Sequence, residues 1–320
     1  MAFPNLSDIL ATTIESRTRR IADNVTDNNA ILKKMSMKGP MVTFSGGSKI
    51  LQELSFAENT NSGWYSGYDL LPVGVSDVLS AAEYDIKQAA VPVVISGLEQ
   101  LQNSGKEQMI DLLEARLSVA ESTISNLISE GLYSDGTAAG GKQITGLDAA
   151  VPVDPSTGTY GGIDRATFPF WRSQISTGTV ITAANIQQIM NGMWASLVRG
   201  KDMANLILMD NETWELYVAS LQSQQRFHQA EVGNLGFPTL KFMGTDVVLD
   251  GGIGGNATEK TMYFLNTDYI HYRPHANRNM VPLSPNRRYS TNQDAEVQIL
   301  AWAGNLTMSG SQFQGRVIGA

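Results

Sequence analysis

Three histidines, at positions 228, 271 and 275, are the only imidazoles in a chain of 320 residues that contains no cysteine. A metal site would therefore have to be built from these rings and carboxylates, and a cysteine nucleophile is excluded. His271 and His275 have the four-residue spacing of a helical ligand pair, but Pro274 between them breaks the helix such a pair needs. No glutamate flanks them as in the zinc proteases. Ordinary loop or interface histidines are the expectation, with no metal and no cofactor.

The other chemistry-bearing patterns fail for equally physical reasons. The glycine-rich stretches GGKQ at 140 and GGIGGNATEK at 251 do not have the spacing of a Walker loop, and the second lies between two strand-like segments instead of opening a helix. Tight turns explain their glycines. Serines are plentiful, yet no G-x-S-x-G elbow occurs. Asp246 and Asp250 fall at strand and turn positions, with no basic or aromatic partner in view that would tune one of them as an acid. The expectation is a protein that is not an enzyme.

Composition narrows the class further. Hydrophobic residues at 42%, charged residues at 17% and 30 glycines describe a folded, loop-rich α and β chain. The charge fraction is low for a monomer of this size, which suggests that neighbouring copies cover much of the surface. A formal net charge of -8 opposes tight binding of nucleic acid, which needs clustered lysine and arginine. Arg17, Arg19 and Arg20 form the one dense basic run near the start, read as a solvated helix face. No apolar run approaches the roughly 20 residues of a bilayer span, and MAFPNLSDIL lacks the features of a signal peptide. Neither membrane insertion nor signal-directed export is expected.

The elements that would position side chains can be followed along the chain. Residues 5 to 35 suggest an extended arm with short helices, and Met41 to Phe44 a strand. Lys49 to Phe56 is read as another strand, and Val73 to Ile95, with two prolines, as extended edge-like segments. Between them lies ENTNSGWYSGYDLLP, too polar and glycine-rich for a core, yet carrying Trp64, Tyr65 and Tyr68. An outlying hairpin whose aromatic tip packs on another body accounts for both facts, the alternative being a loop that folds back onto its own domain.

Ser104 and Glu107 then form a capping box. Met109, Leu112, Leu113, Arg116, Leu117, Ala120, Ile124, Leu127 and Ile128 trace one helical stripe, with Gly131 as the stop. The helix so predicted runs from Lys106 to Glu130. A domain boundary is placed near 145. Beyond it, Thr182 is read as the cap of a helix bearing Ile186, Ile189, Met190, Met193, Leu197 and Val198. Asn205 to Met209 reads as a buried strand, and Asp210 as the cap of a helix carrying Trp214, Tyr217, Val218 and Leu221. Leu240 to Leu249, Thr261 to Leu265 and Glu296 to Met308 read as strands. Asn277, Arg278, Arg287 and Arg288 make a basic segment among prolines 274, 282 and 285, either an exposed loop or an intersubunit salt-bridge or anion contact.

This order of parts resembles the major capsid proteins of tailed bacteriophages, the Hong Kong 97-type fold, over essentially the whole chain. The phrases that carry the resemblance are GWYSGYDLL at 63 to 71, AAEYDIKQAAVPVVISGLEQLQNSGKE at 81 to 107, YSDGTAAGGKQITGLDAAV at 133 to 151, and LILMDNETWELY at 206 to 217. The resemblance implies an α+β subunit with an amino-terminal arm over 1–48 and an extended hairpin loop over 49–85. It implies a peripheral domain over 86–145 and 265–310 with a long spine helix, and an axial domain over 146–264 and 311–320. It also implies self-assembly as hexamers and pentamers into an icosahedral phage head around double-stranded DNA, built in the host cytoplasm with portal and scaffold proteins and, where one exists, a cementing protein. DNA would be held by weak non-specific contact only.

One member of the family welds its subunits through a lysine in the hairpin loop, an asparagine of a neighbour and a nearby glutamate. Here Ile50 to Ile86 contains no lysine, and only Lys49 and Lys87 stand at its base. A shell without covalent cross-links is expected. Trp64, Tyr65, Tyr68, Arg278, Arg287 and Arg288 are the intersubunit contact candidates. The rivals are an encapsulin-like cellular compartment of the same fold and, more distantly, a soluble hydrolase using Ser, Asp or His residues of the 146 to 320 region.

Overall fold

The structure is a computed structural model of the chain, and it describes residues 31, 41–70, 73–102, 112–221, 239–251, 255–283, 288–289 and 294–320. Most of the arm, the Ser104–Glu107 box, His228 and Arg287 lie outside the described residues.

β1 (Lys49–Ser55) and β2 (Leu79–Asp85) form an antiparallel hairpin, with Lys49 opposite Asp85 and Ser55 opposite Leu79. β3 (Lys87–Ser96) follows after one residue and runs into α1 (Gly97–Gln102). The long helix is α2 (Leu112–Tyr133), followed by α3 (Leu147–Ala150) and the small hairpin of β4 (Thr159–Tyr160) and β5 (Ile163–Asp164). Next come β6 (Gln174–Thr179), α4 (Ile186–Leu197), β7 (Leu206–Met209) and α5 (Asn211–Leu221). The strands that follow are β8 (Thr239–Phe242), β9 (Thr245–Leu249), β10 (Thr261–Leu265), β11 (Ile270–Pro274), β12 (Val281–Pro282), β13 (Arg288–Tyr289), β14 (Ala295–Met308) and β15 (Gly315–Gly319), with a 3-10 turn at Ser311–Phe313 between the last two.

Two large sheets organise these strands. In a five-stranded sheet the 14-residue β14 is the centre, with β3 along one side and β11, β12 and β13 along the other. The second sheet has the order β6-β15-β10-β7-β9-β8. Its inner strands β7 and β10 read as nearly continuous apolar runs because both of their faces are covered. Leu206, Leu208, Val248, Tyr263 and Leu265 point into the core shared with α2, while Ile207, Met209, Val247, Met262 and Phe264 point into the core shared with α4 and α5. The side-chain period of two thus serves two cores from one sheet.

α2 lies on β3 and β14 through Ala120, Ile124 and Ile128, a stripe of four-residue spacing that is buried throughout. Leu127, expected in that stripe, sits at its margin and is 44% exposed. Nor does Gly131 stop the helix, which continues to Tyr133. A Cβ at Gly131 would lie 3.2 Å from Ile144 Cδ1, so this glycine admits a neighbour instead of ending the helix.

Two further expectations shift. Leu240 to Leu249 is a hairpin of β8 and β9, because Met243 and Gly244 both take positive φ and turn the chain. Thr182 stands one turn before α4: its carbonyl accepts from Ile186 N–H at 3.0 Å, and its own N–H donates to Asn185 Oδ1 at 2.7 Å. Asp210 does cap α5, its Oδ1 accepting from Thr213 N–H at 3.1 Å.

Candidate assembly surfaces

The hairpin is rooted firmly and ends freely. At its base Ile50, Leu54, Ala82 and Tyr84 are buried, alternating with exposed Leu51, Glu53 and Glu83 as a one-sided strand pair requires. Tyr84 donates its hydroxyl to the Met308 carbonyl at 3.1 Å and accepts from Met308 N–H at 3.2 Å. Gln52 Oε1 accepts from Arg273 Nη2 at 2.6 Å, and Asn305 Nδ2 donates to the Asp85 carbonyl at 2.9 Å. Gly161 is the close-approach residue: its carbonyl accepts from Glu83 N–H, and at φ +60 any Cβ there would sit 3.0 Å from Ala82 and Tyr84.

Beyond Ser55 one more backbone bond, from Phe56 N–H to the Val78 carbonyl at 3.1 Å, joins the two limbs, and side chains take over from there. Asn61 Nδ2 donates to the Gly74 carbonyl at 2.6 Å, and Ser66 N–H donates to Asp69 Oδ2 at 2.8 Å to shape the tip. What the tip presents is apolar. Trp64, Tyr68, Leu70, Val73 and Val75 are each at least 97% exposed, and Tyr65 is 68% exposed. A cluster of this kind is rare on a chain that works alone.

The two lysines at the base are engaged. Lys49 Nζ pairs with Glu83 at 2.6 Å, and Lys87 Nζ donates to the Gly141 carbonyl at 2.5 Å. Of the arginine candidates, Arg278 is exposed in the turn after β11, donating to Gln88 Oε1 at 3.1 Å. Arg288 belongs to β13, opposite Val297. No described contact joins them to the aromatic tip.

The histidine pair is split by chemistry as well as by Pro274. His271 is partly buried on β11, and burial, with Arg273 nearby, lowers its pKa below the ordinary value. His275 packs edge-on against Phe44 at 5.0 Å and accepts from Asn277 N–H at Nδ1. Asp250, by contrast, has an aromatic partner that sequence reasoning did not find: it is buried and accepts a hydrogen bond from the Tyr133 hydroxyl. Asp148, Arg316 and Tyr263 form a second polar cluster, with Arg316 to Asp148 at 2.7 Å and Tyr263 donating to Asp148 at 2.8 Å. Nothing local in the sequence signals either, since the partners are up to 168 positions apart, from Asp148 to Arg316. Asn256, from the GGIGGNATEK segment, donates from Nδ2 to Ser129 Oγ of α2 at 3.1 Å. Among the described residues no group of three or more His, Cys, Asp or Glu side chains could hold a metal ion, and no helix is long and apolar enough to cross a membrane.

No protein-family model and no curated protein sequence matches the chain. Solved structures do. A chain of the cyanophage A-1(L) capsid asymmetric unit superposes with a TM-score of 0.72 at 19% identity, covering 93% of this chain and 94% of that one. The capsid of a native GTA particle gives 0.64 at 14% identity, with 91% of each chain covered. An encapsulin complex from Synechococcus elongatus PCC 7942 gives 0.59 at 7% identity, with 99% and 95% covered. The shared architecture is the α+β Hong Kong 97-type capsid fold.

Proposed function

We propose that the chain is the major capsid protein of a tailed phage, assembling as hexamers and pentamers into an icosahedral head around double-stranded DNA. The observation that carries this reading is the apolar hairpin tip, on which Trp64, Tyr68, Leu70, Val73 and Val75 stand almost fully exposed side by side. Such a tip is stable in water only when another body covers it. Likeness to the cyanophage capsid chain over nine-tenths of both chains supports the same reading, and the encapsulin match, lower than the cyanophage one, does not favour a cellular compartment.

In this reading the five-stranded sheet with α2 is the peripheral domain, over 86–145 and 265–310. The six-stranded sheet with α4 and α5 is the axial domain, over 146–264 and 311–320. Trp64, Tyr65 and Tyr68 hold a neighbouring subunit by packing, and Arg278, Arg287 and Arg288 face a neighbour across a polar contact. Each such contact is weak, but the closed lattice multiplies it by effective concentration. The contacts are noncovalent, because both lysines at the hairpin base are already engaged within the subunit and the loop between them has none. An acidic wall leaves packaged DNA unbound by strong phosphate contacts. Portal and scaffold proteins, and a cementing protein where one exists, are the remaining partners, and the virion is the location.

Negative-stain microscopy of the purified chain, alone and coexpressed with a scaffold, tests the reading. Closed particles are expected; small discrete oligomers under every condition would overturn it.

A further inference from the structure

Among the described residues β3 pairs only with β14, and its other side is an edge of the five-stranded sheet as they form it. Such an edge is a template for a strand from another chain. Which of its backbone groups point outward follows from the register. Gly97 N–H donates to the Asp294 carbonyl at 2.9 Å, and Ser96 stands opposite Ala295. Directly opposed residues of an antiparallel pair turn their backbone groups both toward and both away in alternation. The odd-numbered residues of β3 therefore face β14, and Gln88, Ala90, Pro92, Val94 and Ser96 face outward. The far side of β14 agrees: Ala303, opposite Gln88, donates to the Arg278 carbonyl, and Ile299, opposite Pro92, accepts from Leu283 N–H.

Three successive outward positions are blocked. Pro92 has no N–H to offer. The Val94 carbonyl accepts a hydrogen bond from Arg116 Nη1, which reaches across from α2. Ser96 N–H donates to Glu99 Oε2 at 3.1 Å, in a capping box that Glu99 N–H completes on Ser96 Oγ at 3.3 Å. Glu99 Oε1 in turn accepts from Arg116 Nη2 at 2.7 Å, joining the last two blocks into one clamp. The surface beneath is inviting, for Val94 and Val119 are 44% and 56% exposed beside Pro92. Without the clamp this would be a β-branched, half-apolar edge of the kind that recruits further strands.

We propose that Pro92, Arg116 and Glu99 close this edge to strand addition, the excluded partner being an extended strand of a second copy of the chain. The inference concerns the lone subunit and stands apart from the shell reading.

The test uses the purified full chain with Arg116→Ala and, separately, Pro92→Val, which restores an outward N–H without touching the clamp. Retention of the fold is checked by near-ultraviolet circular dichroism. Both variants are expected to form sedimenting, thioflavin-positive assemblies several-fold faster than the parent chain, with the amides of Ala90 and Val94 newly protected from hydrogen exchange in those assemblies. Should Arg116→Ala fail to fold, Pro92→Val alone decides. Folded variants that assemble no faster than the parent, or assemblies in which those two amides still exchange freely, would overturn the proposal.

Discussion

The Tyr133 hydroxyl donates to the buried Asp250 carboxylate, joining the last residue of the long helix to the residue that follows β9, 117 positions away. Around this contact the Tyr133 ring meets Tyr263 edge-on at 6.0 Å, and Tyr263 passes the connection to Asp148 and Arg316. Helix α2, α3, β10 and β15 thus meet in one polar joint. Burial, with Asp250 beside it, pushes the Tyr133 hydroxyl well above its ordinary pKa, so it is protonated and a donor at neutral pH.

Tyr133→Phe keeps the ring and deletes the donor. The Asp250 carboxylate then loses this bond inside the core, and about 1–3 kcal/mol of stability should go with it. Urea unfolding monitored by tryptophan fluorescence would register the loss as a lower midpoint at unchanged slope. Tyr133→Ala should cost more, about 3–5 kcal/mol, because a cavity is added.

Asp148→Asn removes the countercharge of Arg316, whose side chain is only 4% exposed. Breaking a fully buried pair costs about 3–5 kcal/mol. The cost here should be smaller, because Asp148 is 33% exposed and water can partly replace it. Replacing both partners, as Asp148→Leu with Arg316→Met, should recover part of the loss. A double-mutant cycle in thermal unfolding measures the coupling directly.

Legibility in the sequence followed the range of the forces involved. β1, β7, β10 and β14 were readable because alternation or an unbroken apolar run is a local pattern, and Asp210 because a cap acts within three residues. The β8–β9 turn was hidden because Met243 occupies a positive-φ position where Asn or Gly is the usual signal. Gly131 misled because its purpose is set by Ile144, which approaches from outside the helix. The Ser96–Glu99 box carries the same spacing as Ser104 and Glu107 and was open to the same reading. The exposed aromatic tip was legible as an oddity of composition; that its base is locked by Tyr84, Asn305 and Gly161 was not, since each of those contacts spans a long stretch of chain.

Serine at positions 64, 65 and 68 should leave the isolated subunit nearly unchanged. Trp64 and Tyr68 are fully exposed, and surface substitutions typically fall within about 0.5 kcal/mol. Assembly should suffer instead, since buried aromatic anchors dominate interfaces. Thermal unfolding and particle yield by sedimentation, measured on the same preparation, separate the two effects. A large drop in subunit stability with normal particle yield would mean that the tip folds onto its own chain.

His271 sets a pH dependence whose sign can be worked out. Its folded pKa lies below the ordinary 6.5 because burial, then Arg273, disfavours the imidazolium, while Asp268 opposes the shift weakly. The unfolded chain therefore binds the proton more readily. The stability this residue contributes is complete above pH 6.5 and is lost as pH falls through the depressed folded value. His271→Gln should flatten that part of the stability profile between neutrality and mild acid. An unchanged slope in denaturant titrations across that window would remove His271 from the account.

Gly131, in the last turns of the long helix, and Gly146, just before α3, should respond very unequally to alanine. At Gly131 the added Cβ would lie 3.2 Å from Ile144 Cδ1 and 3.3 Å from Ile144 Cβ, so Ile144 must give by a few tenths of an ångström, while the interior of a helix favours alanine by about 1 kcal/mol. The two effects nearly cancel, and Gly131→Ala should stay within about 1 kcal/mol of the parent. At Gly146 the same atom would lie 2.4 Å from the carbonyl oxygens of Gly131 and Leu132, which are backbone and cannot swing aside. The helix end, or the segment leading into α3, must then move, and the Ser134 carbonyl that accepts from Gly146 N–H moves with it. Gly146→Ala should therefore cost about 3 kcal/mol, the upper range for overpacking, and lower the thermal midpoint accordingly. Because the Tyr133–Asp250 bond lies beside this crowding, hydrogen exchange should quicken in the last turn of α2 in Gly146→Ala and remain slow in Gly131→Ala.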